Sequence, residues 1–253
     1  MLDFFRKVRE ALDTNRPAVA ALVLRAVTEG GSRVRPGARK LYFFEGEGVG
    51  DLGDPELETE VAGRAGEVFA RRRPETVTVA LPGKVVEVFL EPVLPEPKIL
   101  VLGGGHVGQK VAALAKEVGY RVTVVDDRPD FANRELFPGA DEVICDDFQE
   151  ALGKISLDPA TYIVIVTRGH RHDYECLRRV IDSPAAYIGM IGSRRKVKGV
   201  KERLMAEGVA PERLSRVHAP IGLDIGAETP AEIAVSILGE IIKVYRRGEE
   251  KKE

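Results

Sequence analysis

The stretch KILVLGGGHVGQKVAALAKEVGYRVTVVDD, residues 98–127, decides the fold. Its first five residues, four of them apolar, read as a strand. Gly103, Gly104, Gly105, His106, Val107 and Gly108 follow and match G-x-G-x-x-G. QKVAALAKEVG then places apolar side chains at helical spacing up to Gly119. RVTVVDD reads as a second strand, with Asp126 18 positions beyond Gly108. Between a strand and a helix, with an acid closing the next strand, the glycine motif specifies a dinucleotide-type phosphate site. Gly103 permits the tight turn, Gly105 lets the backbone approach a pyrophosphate, and Gly108 lets helix and strand pack closely. The helix N-terminus offers free N–H groups and a positive dipole end. His106 either touches a ligand or faces solvent. Asp126 stands where a ribose-binding acid lies, or is a solvated strand end; Asp127 and Arg128 are close enough to compete.

Outward from this unit, residues 98–253 alternate strand and helix. KILVL, RVTVVDD, EVICD, YIVIVT and AYIGMIG are the candidate strands; QKVAALAKEV, DYECLRRVID, VKGVKERLMAEG and the last long segment are the candidate helices. Such alternation implies a parallel sheet with right-handed crossovers. Thr229, Pro230 and Glu232 read as N-cap, first helical position and capping-box partner of the last helix. Ile233, Ile237, Leu238, Ile241 and Ile242 read as its buried stripe; the tail RRGEEKKE reads as a solvated, fraying end.

Residues 1–90 read as a smaller α+β domain with mainly antiparallel strands. A helix over residues 2–12 is followed by the valine-rich strand AVAALVLRAV, a turn at Gly30 and Gly31, the strand KLYFFEG and the helix ELETEVAGRAGEVFARRR. TVTVALPGKVVEVFLEP reads as a hairpin around Pro82 and Gly83. Three prolines in EPVLPEPK make residues 91–97 a linker. The fold class is therefore α/β: a C-terminal Rossmann-like parallel sheet behind a smaller N-terminal α+β domain.

In an open parallel sheet the carboxyl ends of the strands line the ligand crevice. TRGHRHD, residues 167–173, brings Arg168, His170, His172 and Asp173 to that edge. It suits a polar clamp for a ligand, a metal site on His170, His172 and Asp173, or a helix cap on Asp173 with the rest solvated. Four histidines in all and no complete H-x-H-x-D-H pattern count against a metal. GMIGSRRK, residues 189–196, brings Ser193, Arg194, Arg195 and Lys196 to a helix start. Cations there oppose the helix dipole, which an anionic ligand would explain. HAPIGLDIGAETP, residues 218–230, holds Asp224 among apolar neighbours, which implies a partner for it. His218 or Asp224 is conceivable as an acid or base, but a loop bracing the last helix is an equal reading. No catalytic nucleophile stands out: neither cysteine has a nucleophile context, and Ser193 has no evident base.

A net charge of -2 gives no reason to expect nucleic acid or an anionic membrane surface. The first residues mix charges among apolar positions, unlike a signal peptide, and no apolar run suits a membrane span. Cys145 and Cys176 form neither a metal-ligand spacing nor a disulfide framework, so a reducing cytoplasm is expected. Trp is absent, and Asn15, Asn133, Gln109 and Gln149 are the only side-chain amides, a composition expected of a thermophile.

Taken in order, VLGGGHVG, VTVVDDRPDFAN, VTRGHRHD, YIGMIGSRRK and RVHAPIGLDIGAETPAEIAVSI resemble the XdhC/CoxI family of xanthine dehydrogenase accessory proteins. The resemblance implies a protein that binds the molybdenum cofactor, a pterin carrying phosphate, in mono- or dinucleotide form. It implies assistance in sulfuration, with a cysteine desulfurase, and in insertion into a molybdenum hydroxylase apoenzyme; a homo-oligomer, as a homodimer, is the family-based expectation. Gly103, Gly105, His106, Gly108, Asp126, Arg168, His170, Asp173, Ser193, Arg194, Arg195 and Asp224 are then the expected cofactor-binding set, with no catalytic residue and no metal ligand among them. The N-terminal half is more divergent. GGSRVRPGA and GDLGDPELE stand where the family carries G-S-x-P-R-x-x-G-A and G-G-G-C-L-E, and Glu56 replaces the cysteine. A carboxylate is a poor substitute for a thiolate at a soft metal centre. The alternatives are an NAD-dependent oxidoreductase using the same glycine turn with His170 or His218 as acid–base, and a nucleotide-gated interaction module.

Overall fold

The computed structural model describes residues 2–14, 16–28, 32–44 and 46–247. The turn expected at Gly30 and Gly31 and the tail beyond residue 247 lie outside the described residues. Two compact units are present among the described residues: one reaches Pro95 and includes residues 245–247 at the end of the last helix, and the other runs from Glu96 to Val244.

The first unit contains α1 (Leu2–Asp13), β1 (Ala18–Thr28), β2 (Arg39–Phe43), β3 (Val49–Asp51), α2 (Pro55–Arg71), β4 (Glu75–Leu81) and β5 (Lys84–Val93). Its antiparallel sheet has the order β3-β2-β1-β5-β4, with the expected hairpin joining β4 to β5. Alternation along β1 sends Val19, Ala21 and Val23 to one face, where Leu57, Val61, Ala65 and Val68 of α2 cover them. Ala18 and Leu41 on the other face meet Phe4, Val8 and Ala11 of α1. Asp54 caps α2 by accepting from the Glu56 and Leu57 N–H groups, and Pro55 opens the helix. The proline-rich segment departs from the expected linker: β5 runs through Pro92 to Val93, paired with Val19 and Ala18 of β1. Pairing with β4 ends at Leu90, so beyond it β5 has β1 as its neighbour in the sheet and a residue without N–H is tolerated.

The second unit contains β6 (Lys98–Leu102), α3 (His106–Glu117), β7 (Arg121–Asp126), β8 (Glu142–Cys145), α4 (Phe148–Lys154), β9 (Thr161–Ile165), α5 (His170–Val180), β10 (Tyr187–Met190), α6 (Arg194–Ala206), α7 (Pro211–Ser215), β11 (Val217–His218) and α8 (Pro230–Arg247). All six strands are parallel, in the order β11-β10-β9-β6-β7-β8. This is the doubly wound order, with its reversal between β6 and β9. Both faces are covered, which is why β9 is buried along its whole length and reads as a continuous apolar run. Leu100, Leu102, Ile163 and Ile165 pack with Leu177 and Val180 of α5, Ile181 at its C-cap, and Val197, Val200 and Leu204 of α6.

Three local readings are corrected. α5 starts at His170 with Gly169 as its N-cap, so Asp173 lies in the first turn and does not cap the helix. The buried stripe of α8 is Ala234, Ile237, Leu238, Ile241 and Val244, whereas Ile242 is 37% exposed. One further step of the helix carries Ile242 off that stripe. His218 closes β11, a two-residue strand beside β10, at the head of a segment read as a loop bracing the last helix.

Candidate functional site

The glycine turn joins β6 to α3 at the point where the strand order reverses. Gly103 has φ +117°, and a Cβ on it would lie 2.5 Å from the Val166 carbonyl oxygen. A Cβ on Gly108 would lie 2.0 Å from the Gly103 carbonyl oxygen, which fixes the close approach of helix and strand. Gly104, at a motif position open to any residue, is equally constrained: its Cβ would lie 2.0 Å from the Phe131 carbonyl oxygen. Gly105 is the exception. A Cβ there meets nothing within 4 Å, and its φ of -68° suits any residue. Gly105 is also the N-cap of α3 and provides no side-chain cap. The first N–H groups of α3 therefore lack intrahelical partners and border open space, the geometry that receives a phosphate. His106, the first residue of α3, is exposed.

Asp126 differs from an open ribose acceptor. It is 1% exposed, and its oxygens accept from the Gly104 N–H (2.8 Å), the Arg128 N–H (3.1 Å), Arg128 Nε (2.8 Å) and Arg128 Nη2 (3.0 Å). Burial alone would push this carboxyl up. The Arg128 guanidinium and the two backbone donors outweigh it and hold Asp126 below the usual carboxylate range. Arg128 also lies over the Phe131 ring, 3.7 Å from its centroid. Asp126 thus locks the turn from within. Beside it, Asp127 accepts from Arg168 Nη2 (3.3 Å) through Oδ2, and its Oδ1 is buried without a hydrogen-bond partner.

At the end of β9, Asp173 is wholly buried, accepts from Thr167 Oγ1 (2.6 Å) and pairs with Lys196. It fastens β9, α5 and α6 together, so its carboxylate is committed inward and is not presented to a ligand. Arg168 remains half-exposed beside Asp127. The backbone of His170 opens α5, and its side chain lies outside the described residues. His172 faces Glu175 (Nδ1 to Oε2, 3.6 Å) and the Phe148 ring.

Ser193 caps α6, accepting from the Lys196 N–H (3.3 Å). Ser193, Arg195 and Lys196 border a groove of about 540 Å³ shared with Tyr174 and Arg203. Among the described residues, no contact joins Arg194 or Arg195 to the glycine turn. Asp224 is corrected: it is exposed, and among the described residues no partner meets it. Its neighbours Leu223 and Ile225 are themselves exposed, so the carboxylate is solvated.

The bracing network that holds this loop comes from Glu240. Its Oε2 accepts from the Tyr187 hydroxyl (2.5 Å) and the Gly222 N–H (3.0 Å), and its Oε1 lies 3.3 Å from His218 Nδ1. Burial raises the Glu240 carboxyl, and these partners together bring it below its ordinary value. The signal in the sequence is a carboxylate set between Ile237 and Ile241 on the buried stripe.

The uncapped N–H groups at the start of α3 are donors of the kind that suit an anion. Among the described residues, no cluster of three His, Cys, Asp or Glu side chains could hold a metal. Cys145 is exposed and unpaired; Cys176 is buried, which pushes its thiol up and keeps it protonated. No described helix is long and apolar enough to cross a membrane.

Comparison with known proteins gives a consistent assignment. Residues 99–241 match the XdhC Rossmann domain, and residues 9–80 match the XdhC and CoxI family. The uncharacterized protein YqeB of Escherichia coli K12 is 30% identical over 255 residues, covering 96% of this chain and 46% of that protein. A probable xanthine dehydrogenase subunit of Bacillus subtilis 168 is 33% identical over 164 residues, covering 65% of this chain and 48% of that protein. The chain thus spans about half the length of these curated relatives. A crystal structure of a xanthine dehydrogenase from Bacillus halodurans shares the fold, with a TM-score of 0.55 and 22% identity over 97% of this chain and 96% of that one. The chain belongs to the XdhC and CoxI family, and its parallel-sheet unit is the XdhC Rossmann domain.

Proposed function

We propose that this chain is an accessory protein of a xanthine dehydrogenase-type molybdenum hydroxylase and holds the molybdenum cofactor by its phosphate at the glycine turn. The observation that carries the reading is the opening at Gly105. No protein atom demands a glycine there, while uncapped N–H groups of α3 border the same space. Gly105 and the first turn of α3 would receive the phosphate, with His106 and Arg168 at the rim. The bound group supplies the redox chemistry of the enzyme that receives it; this chain binds, orients and shields. The N-terminal region carries Glu56 where the family has its cysteine, so a cysteine desulfurase partner is the expected source of sulfur for the cofactor. A homodimer in the cytoplasm fits this role.

The NAD-dependent oxidoreductase reading is the weaker one because Asp126, its ribose acceptor, is saturated by Gly104 and Arg128. The test is anaerobic incubation with molybdenum cofactor under reducing conditions, gel filtration and fluorescence of the oxidised pterin. Pterin eluting with the protein supports the proposal. Absence of pterin, with saturable NADH binding instead, overturns it in favour of the oxidoreductase.

A further inference from the structure

The outer face of α8 is apolar along its middle. Val235 is 54% exposed, and Ile242, also exposed, stands two helical turns further on the same side. Leu223 lies over the helix between them. A Cβ on Gly239 would come 3.1 Å from Leu223 Cδ1, so the glycine, otherwise unfavourable inside a helix, seats this side chain. The Leu223 N–H donates to the Ser236 carbonyl (3.2 Å), and Ser236 Oγ donates to the Leu223 carbonyl (2.5 Å). Leu223 is nevertheless exposed, and so is Ile225 two residues on. Single exposed apolar residues are ordinary; a leucine pinned in place beside others is a preformed contact surface.

The charges on this face say what covers it. Glu232 lies about one turn before Val235 and Arg246 about one turn after Ile242, and both are exposed. Gly239 stands midway between the acid and the base. The order along the stripe is therefore acid, valine, seated leucine, isoleucine, base. Turned by half a revolution about Gly239, it becomes its own complement: Glu232 faces Arg246, and Val235 faces Ile242. A two-fold contact between identical surfaces requires this self-complementarity. A partner of different sequence requires neither the central leucine nor the change of sign across it.

We infer that the outer face of α8, with the loop of residues 223–225, docks a second copy of this chain, the two α8 helices running antiparallel and crossing at Gly239. Leu223 meets its counterpart at the two-fold axis, and the Glu232–Arg246 pairs close the two ends. This gives the homodimer of the proposed function its interface and is independent of the cofactor at Gly105. Sedimentation equilibrium of the full chain tests it, with circular dichroism confirming that each variant is folded. The wild type is expected to be a dimer. Val235→Glu, which buries a carboxylate in the apolar centre, is expected to raise the dissociation constant about tenfold or more. Arg246→Glu sets two carboxylates facing each other and is expected to weaken the dimer more at low salt than at high salt. Met205→Glu, at an exposed apolar position on α6, is expected to leave the dimer intact. A monomeric wild type, an unweakened dimer in folded Val235→Glu, a salt-independent Arg246→Glu, or dissociation by Met205→Glu overturns the inference. Cofactor titration of the Val235→Glu monomer reads the other site, so failure here is distinguishable from failure of the cofactor reading.

Discussion

Gly103, Gly104, Gly105 and Gly108 share one turn, yet a methyl group meets a different environment at each. At Gly104 it would lie 2.0 Å from the Phe131 carbonyl oxygen and 3.4 Å from the Asp126 Cβ, neither of them the far end of a flexible side chain. Gly104→Ala is expected to destabilise by about 1–3 kcal/mol, the usual cost of overpacking, whereas Gly105→Ala is expected to be neutral. Chemical denaturation of the two variants checks this. The motif disclosed Gly103, Gly105 and Gly108 but not Gly104, because what constrains Gly104 is a carbonyl from the loop after β7. Asp126 was legible as an acid at a strand end. Its inward use was not, since that depends on Arg128 folding back over Phe131. Its folded carboxyl is lowered, so the stability it contributes is present above the unfolded carboxylate value of about 3.9 and is lost as pH falls through the lower folded value. Asp126→Asn is therefore expected to flatten the acid limb of a stability–pH curve. An unchanged acid limb would contradict the assigned lock.

Elements of ten residues or more announce themselves, because several turns of apolar periodicity outweigh any one side chain. α8 shows this: the capping box forms as read, with Glu232 Oε2 accepting from the Thr229 N–H (2.8 Å) and Thr229 Oγ1 from the Glu232 N–H (3.3 Å). Thr229→Ala is expected to cost about 1 kcal/mol in equilibrium unfolding. α4, α7 and β11 escape such a reading, as they offer too few residues for a period to emerge. Glu240 ties β10, β11 and α8 into one layer by serving Tyr187, Gly222 and His218. Glu240→Ala leaves the buried Tyr187 hydroxyl without its acceptor, at an expected cost of about 1–3 kcal/mol. Hydrogen exchange in β10 and β11 should rise in that variant, more than in the β6–β7 pair.

Across the whole molecule, the α/β class and the parallel unit were legible because the strand–turn–helix–strand pattern recurs along the second half of the chain. The crevice contents were less legible. A sequence places Asp173, Asp224 and Arg195 near strand ends but does not say that the first turns inward, the second faces solvent and the third borders a different groove. Those outcomes depend on α5–α6 packing and on loop paths. The scarcity of amides, together with ion pairs such as Lys40–Glu58 and Lys98–Asp158, predicts a melting temperature above the mesophile range of about 45–65 °C. On the proposed function, the open space at Gly105 exists for the phosphate of a molybdenum cofactor. Its most direct test is an anaerobic equilibrium titration of the cofactor against the wild-type chain and Gly105→Leu, whose added side chain enters empty space and leaves the fold intact. Tight binding by the wild type that weakens at least about tenfold in the variant is the predicted result; equal binding by both, or binding by neither, contradicts the account.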